Sequence, residues 1–290
     1  MYDAIVIGAG PAGISASLYL KRANMNVLVL YYGESELEKA HKIDNFYGFI
    51  NGIEGKELYE NGIEQAKKLG VDVLEKEVID IEITENNYFK VKSSNENYEA
   101  ISVIIATGNK RVKPSIKGIN EFEGKGISYC AICDGFFYKN KNVVVLGDGQ
   151  FAVSEANDLK NIVNSVKILS NGLEAPNTDE YEVITDKINE IKGEKRVEKI
   201  EFENGKIIEV DGIFIAQGIA GGSDFAKKLG VISDNDNIVV SENMETNIKG
   251  LYACGNLTGG LLQINKAAYE GAKAGLTAVS YIKEVKKWVF

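Results

Sequence analysis

The chain is predicted to adopt an α/β fold of two three-layer domains, and three observations predict it. A short apolar run from Tyr2 to Ile7 opens directly into Gly8-Ala9-Gly10-Pro11-Ala12-Gly13. The same arrangement returns at Asn142 to Leu146, which opens into Gly147-Asp148-Gly149-Gln150-Phe151-Ala152. Each loop precedes a helical pattern and a second apolar strand, so one Rossmann-like βαβ plan occurs twice.

In the first unit, Gly8 permits the tight turn, Gly10 lets the backbone approach a pyrophosphate, and Gly13 lets helix and strand pack closely. The spacing predicts a helix over 14–23 and a strand over 27–30. A second helix is expected over 55–69, followed by β-rich stretches at 71–75, 78–84 and 88–91. The run Ile101 to Gly108 reads as a core strand that ends on Ala106-Thr107-Gly108 at a ligand face. Polar, glycine-punctuated residues 114–126 mark a crossing between domains. The second unit continues with a helix over 152–162, a strand over 166–169, a hairpin around Asn204-Gly205 and a last strand over 212–215. Gly250 to Asn256 and an alanine-rich helix through Tyr281 return to the first domain, giving one domain from 1–113 with 245–290 and another over 114–244.

Composition narrows the function. With 290 residues, 44% hydrophobic and 26% charged, the chain can bury two medium cores. A net charge of -9 argues against a nucleic-acid partner, which would need a dense basic face. No early segment reads as a leader and no run is long enough to span a bilayer, so a cytoplasmic protein without a membrane partner is expected. Two basic clusters stand out in this acidic chain: Lys110, Arg111, Lys113 and Lys117, and Lys283, Lys286 and Lys287. Each reads either as a solvated face or as a dock for an acidic protein.

Between the two glycine loops lies Cys130-Ala131-Ile132-Cys133, followed by Asp134-Gly135. Structural zinc normally takes four Cys or His ligands, and the remaining ones, Cys254 and His41, are far away in sequence, so no metal is expected. A redox dithiol is the better reading. Thiol-disulfide exchange needs two thiols that can close a ring, an attacking thiolate and a proton donor for the leaving sulfur. Cys130, Cys133 and Asp134 supply them, although Asp134 reads equally as a turn residue before glycine. Cys254 reads as a buried free cysteine. Two nucleotide-type loops flanking a Cys-x-x-Cys propose a flavoprotein with a redox-active disulfide.

With these residues the chain resembles the low-molecular-weight thioredoxin reductases over nearly its whole length. The matching landmarks are Gly8 to Gly13, Asn45-Phe46-Tyr47-Gly48-Phe49, Ala106-Thr107-Gly108, Cys130 to Phe137, and Gly250 to Asn256 with Gln263 beyond. The resemblance implies an FAD-binding first domain, a second domain of NAD(P)-binding type that carries the Cys-x-x-Cys, and a homodimer. It implies that Gly8, Gly10, Pro11, Ala12, Gly13, Asn45, Val78, Ala106, Thr107, Gly108, Gly255, Asn256, Gln263 and Ile264 contact FAD. Cys133 is then the cysteine facing the flavin, Cys130 the one attacking the disulfide of thioredoxin, and Asp134 the acid/base.

The departures from that family narrow the electron donor. The arginines are Arg22, Arg111 and Arg196, so none lies in Ser170 to Pro176, where relatives grip the 2′-phosphate of NADPH. No carboxylate ends the preceding strand, as an NADH site would have. Asp148 stands inside the second glycine loop, where at about 5 Å from a pyrophosphate charge it would cost roughly 3 kcal/mol at an effective dielectric near 20. Phe151 reads either as crowding the helix start beside it or, with Asp148 pointing to solvent, as packing inward and leaving a usable site. This pattern of loss matches the ferredoxin-linked flavin thioredoxin reductases of anaerobes, which implies ferredoxin as donor and thioredoxin as acceptor. Competing readings are an NAD(P)H-dependent or diflavin-linked reductase and a non-catalytic flavin redox sensor. Asn256 stands where most relatives have aspartate, and an amide can still hydrogen-bond a ribityl hydroxyl. The ending Trp288-Val289-Phe290 reads either as core under the last helix or as a cover over an exposed flavin.

Overall fold

The computed structural model describes every residue except Asn95, residues 109–113, Ile219, Asn235, Asp236 and Phe290, and the side chains of Trp288 and Val289. The chain opens with β1 (Tyr2–Ile7), α1 (Pro11–Arg22), β2 (Val27–Tyr31) and α2 (Gly55–Lys68). Helix α1 begins three residues before the expected Ile14, because Pro11 occupies its first turn. There the missing N–H costs nothing and the fixed φ suits a helix. Four strands follow: β3 (Asp72–Glu75), β4 (Val78–Ile83), β5 (Phe89–Ser93) and β6 (Asn97–Ile105).

The middle of the chain forms α3 (Ile119–Phe122), β7 (Ile127–Ser128), α4 (Ala131–Asp134), β8 (Asn142–Leu146), α5 (Gln150–Leu159), β9 (Ser165–Leu169) and β10 (Val183–Ile184). Next come β11 (Ile188–Lys192), β12 (Lys199–Phe202), β13 (Ile207–Glu209) and β14 (Gly212–Ile215). The last stretch contains α6 (Gly222–Lys228), β15 (Ser233–Asp234), β16 (Asn237–Ile238), β17 (Leu251–Ala253) and α7 (Ile264–Val289).

Two compact units result, Met1–Lys110 with Gly221–Phe290, and Arg111–Ala220. The return to the first unit therefore falls at Gly221, not at 245 as the sequence suggested. Contacts of α6 explain the difference: Gly222 N–H donates to Thr107 Oγ1 at 2.9 Å, and a Cβ on Gly222 would meet Ile105 Cγ2 at 2.6 Å. A seven-residue helix carries too little periodicity to announce which core it joins.

In the first unit the sheet runs β3-β2-β1-β6-β5-β4, with β17 also on β6. Besides β1, the long β6 serves two further partners: Ala100 pairs antiparallel with Phe89, while Val103 to Ile105 pair parallel with Leu251 to Ala253. Its polar start, Asn97 to Glu99, lies in the antiparallel half, which is why β6 begins earlier than its apolar run. Strands β1, β2, β6 and β17 run parallel, so Gly8, Ala106 and Cys254 all leave the sheet at one edge. Helix α7 lies directly on α1, where a Cβ on Gly271 would stand 2.0 Å from Ala12 O. That close approach builds an alanine-rich core from Ala12, Ala16, Ala274 and Ala278 over Val6 and Ile104.

The second unit holds a parallel sheet ordered β10-β9-β8-β14-β7 and a separate antiparallel sheet β11-β12-β13. Its core gathers Val144, Leu146, Leu169, Ile213 and Ile215 with Phe122, Ile191 and Phe202.

Candidate functional site

The first glycine loop is shaped as a cradle. Gly8 has φ +109°, and a Cβ there would stand 2.4 Å from Ala106 O; a Cβ on Gly13 would stand 1.9 Å from Gly8 O. No side chain fits at either position. At Gly10 nothing lies within 4 Å of a Cβ, so the backbone at the start of α1 faces open space. The first N–H groups of a helix are without intrahelical partners and favour an anion. Beside them is a cavity of 340 Å³ lined by Gly10, Pro11, Ile14, Leu37, Phe46, Phe49, Tyr59 and Ile264 among others. These are features a dinucleotide cofactor requires, and the residues present fit one.

The structure brings most of the expected cofactor residues to this edge. Asn45 Nδ2 donates to Gln263 Oε1 at 3.2 Å, joining two landmarks 218 residues apart. A Cβ on Gly255 would stand 3.0 Å from the Ala12 side chain. Asn256 lies in the turn Gly255–Thr258, and Gly108 follows Thr107 with φ +73°. Thr107 spends its hydroxyl as acceptor for Gly222. Val78 opens β4, buried and paired with Ser93, away from β1 in strand order.

Two residues that brace this edge escaped the sequence reading. Buried Glu270 accepts Gly255 N–H and the Thr258 hydroxyl, both at 2.9 Å. Lys266 donates to Gly255 O at 2.7 Å and Gly259 O at 2.6 Å and pairs with Glu270 at 3.0 Å. Their i,i+4 spacing on α7 is the signal that could have found them.

The second unit presents a disulfide. Cys130 and Cys133 are bonded across α4. Cys130 is the N-cap residue, and its Sγ accepts Cys133 N–H at 3.2 Å. After reduction that donor remains to stabilise a thiolate on Cys130. Ala131 N–H donates at 2.8 Å to Glu155, which is buried on α5. Asp134 Oδ2 accepts the Ser128 hydroxyl at 2.6 Å. Cys130 is buried and Cys133 exposed, with Phe136 and Phe137 more than 70% exposed beside them.

The second glycine loop repeats the close approach of the first, since a Cβ on Gly147 would stand 2.2 Å from Ala216 O, although Gly147 lacks the positive φ of Gly8. It differs at its mouth. Asp148 Oδ1 accepts Gly218 N–H at 3.3 Å, so the loop after β8 is tied to the loop after β14. In this strand order β8 and β14 flank the switch point, the crevice where such sheets bind dinucleotides. Gln150 Nε2 adds a bond to Asn177 O at 3.1 Å. Phe151 does not crowd the helix start; its ring is buried in the core because it falls on the inner face of α5.

Comparison with known proteins agrees with this arrangement. Residues 2–271 match the pyridine nucleotide-disulphide oxidoreductase family. The chain belongs to that family. It is a thioredoxin reductase-type disulfide oxidoreductase, 32% identical to the thioredoxin reductase of Bacillus subtilis over 99% of this chain and 96% of the relative. Among solved structures it is similar to the atypical thioredoxin reductase TRi from Desulfovibrio vulgaris Hildenborough, with 38% identity, TM-score 0.89 and coverage of 98% and 99%. It is also similar to a ferredoxin-flavin thioredoxin reductase from Clostridium acetobutylicum, with 35% identity, TM-score 0.67 and 98% of each chain covered. Thioredoxin reductases of this family are FAD-binding flavoproteins.

Other expectations fare differently in this reductase. Cys254 is a buried free thiol, and burial pushes it well above the usual thiol range. Of the basic clusters, Lys110, Arg111 and Lys113 lie outside the described residues, whereas Lys117 pairs with Glu190 at 2.7 Å and Lys286 with Asp3 at 2.6 Å. The Lys286 pair holds the last turns of α7 near the start of β1. The side chains of Trp288 and Val289, and Phe290, lie outside the described residues, so the reading of this ending as core or as a cover over the flavin falls on residues that are not described. No helix among the described residues is long and apolar enough to cross a membrane.

Proposed function

We propose that this reductase uses FAD in its first unit to carry electrons from reduced ferredoxin to the Cys130-Cys133 disulfide, and that the resulting dithiol reduces thioredoxin. The observation that carries the choice of donor is the Asp148-Gly218 bond across the nucleotide crevice of the second unit. The absence of arginine from 170–176 supports the same reading. So does the similarity to the ferredoxin-flavin enzyme.

Gly8, Gly10, Pro11, Ala12 and Gly13 would take the cofactor's pyrophosphate at the start of α1. Asn45, Val78, Ala106, Thr107, Gly108, Gly255, Asn256, Gln263 and Ile264 would hold the remainder. When bound, FAD supplies conversion between single electrons and the pair a disulfide needs. The chain itself supplies the exchange: Cys133 receives the electrons, Cys130 attacks the acceptor, and Asp134 moves the proton. Exposed Ile132, Phe136 and Phe137 form an apolar surface next to the disulfide, suited to a protein acceptor. Exposed Tyr47, Ile50, Leu261 and Tyr269 on the first unit support a homodimer. A reducing cytoplasm, where such a cysteine pair cycles, is the expected setting.

Reconstitution tests this reading. Thioredoxin and the FAD-loaded enzyme are mixed anaerobically with photoreduced ferredoxin, and thioredoxin thiols are counted. Thiol formation that needs both enzyme and ferredoxin is expected; equal formation with NADPH in place of ferredoxin would remove ferredoxin from the account.

A further inference from the structure

Asp134, read above as the proton carrier, is held by a residue to which neither the motif nor the resemblance gives a role. Ser128 is 5% exposed and lies on β7, which pairs with β14 through Ser128 and Phe214. Its hydroxyl donates to Asp134 Oδ2 at 2.6 Å and accepts Cys130 N–H at 3.1 Å. Cys130 O also lies 3.4 Å from Ser128 Oγ. A serine has one hydrogen to give, and the short bond to a carboxylate is the stronger claim on it. A continuous chain therefore runs from Cys130 N–H through Ser128 Oγ–H to Asp134.

We propose that Ser128 is a positioning residue that keeps Asp134 at Cys130 throughout the redox cycle. In the oxidised state the disulfide itself holds the α4 turn closed. Reduction breaks that link, and the sheet-anchored Ser128 hydroxyl then ties the carboxylate to the backbone of Cys130. With Oδ2 engaged, Oδ1 is left to exchange a proton. Cys130 gives its thiol proton to Asp134 Oδ1, and the Cys130 thiolate forms a bond to one sulfur of the acceptor disulfide. The acceptor S–S bond breaks, and its second sulfur leaves with the electron pair and takes the proton that Asp134 carries. Cys133 then attacks the Cys130 sulfur, re-forming the Cys130–Cys133 bond and releasing the first acceptor sulfur, which takes the Cys133 proton, so two electrons and two protons pass from the dithiol to the acceptor.

The inference rests on Asp134 as proton carrier but not on ferredoxin or FAD, and the test separates the two. Wild type, Ser128→Ala, Ser128→Thr, Asp134→Asn and the Ser128→Ala/Asp134→Asn double variant are reduced with dithiothreitol, desalted anaerobically, and mixed with hydroxyethyl disulfide or DTNB. The leaving thiolate of hydroxyethyl disulfide is basic and needs a proton, whereas that of DTNB is stabilised and needs none. Ser128→Ala should slow hydroxyethyl disulfide exchange about tenfold, a part of what general acid catalysis can supply, and leave DTNB within about twofold; Ser128→Thr should restore the rate. The double variant should be no slower than Asp134→Asn. Equal slowing with both disulfides, or a double variant slower than Asp134→Asn by the Ser128→Ala factor, would reduce Ser128 to a structural part. An Asp134→Asn variant with wild-type rates would overturn the proton-carrier role itself.

Discussion

The two glycine loops share a close backbone approach and differ in what they leave open. In both, the first glycine presses against a carbonyl of the neighbouring strand, Gly8 on Ala106 and Gly147 on Ala216. At the first, Gly10 faces open space beside a cavity; at the second, Asp148 reaches across to Gly218 N–H. The βαβ architecture is therefore a shared scaffold, and the side chains at its mouth differ. The same second unit carries the disulfide.

The comparison can be broken most severely at the disulfide. Cys130→Ser or Cys133→Ser should cut thioredoxin reduction by about three orders of magnitude or more, since a lone thiol cannot complete the exchange. The flavin absorbance of the purified protein should be unchanged, and loss of flavin would show that the two units are not chemically separable.

Next in size is a methyl group placed at a crowded glycine of each loop. Gly13→Ala puts a Cβ 1.9 Å from Gly8 O and should yield protein largely free of flavin, whereas Gly147→Ala, with its Cβ 2.2 Å from Ala216 O, should lose about 1–3 kcal/mol of stability yet keep flavin. Flavin content and thermal unfolding together check both, and equal flavin loss in the two variants would contradict the division of labour.

Asp148→Gly sharpens the contrast. It opens the crevice and removes a like charge worth roughly 3 kcal/mol at about 5 Å, so affinity for ADP-ribose or NADH should rise by about two orders of magnitude in calorimetry. The wild type should show no heat of binding. No gain in the variant would leave the closure to the rest of the crevice.

The smallest effect is a count of thiols. With Cys254 buried and its thiol pushed up out of the reactive range, native oxidised protein should show no fast DTNB thiol and the reduced protein two. A fast thiol before reduction would mean that the disulfide or the core is not as described.

Much of this was legible in the chain, for reasons that differ by region. Apolar runs ending in glycine gave β1, β8 and both loops, because close backbone approach tolerates no other residue there. The disulfide was readable from the Cys-x-x-Cys spacing together with the distance of Cys254 and His41, which left zinc without its further ligands. Three features were not. The return at Gly221 shows in the contacts of α6, among them a hydrogen bond to Thr107, and no local pattern reports a partner 115 residues away. Glu155 and Ser128 hydrogen-bond the Cys-x-x-Cys turn from α5 and β7, contacts that exist only once those elements pack around α4. The inward turn of Phe151 follows from the face of α5 that meets the sheet, a matter of helical phase that a motif string does not carry.

Anaerobic mixing of the FAD-loaded enzyme with NADPH, NADH or reduced ferredoxin tests the central claim most directly, with flavin absorbance near 450 nm as the readout. The account predicts bleaching by reduced ferredoxin and a flat trace with either pyridine nucleotide at micromolar concentration. Rapid bleaching by NADPH or NADH would show that the second crevice is open and contradict it.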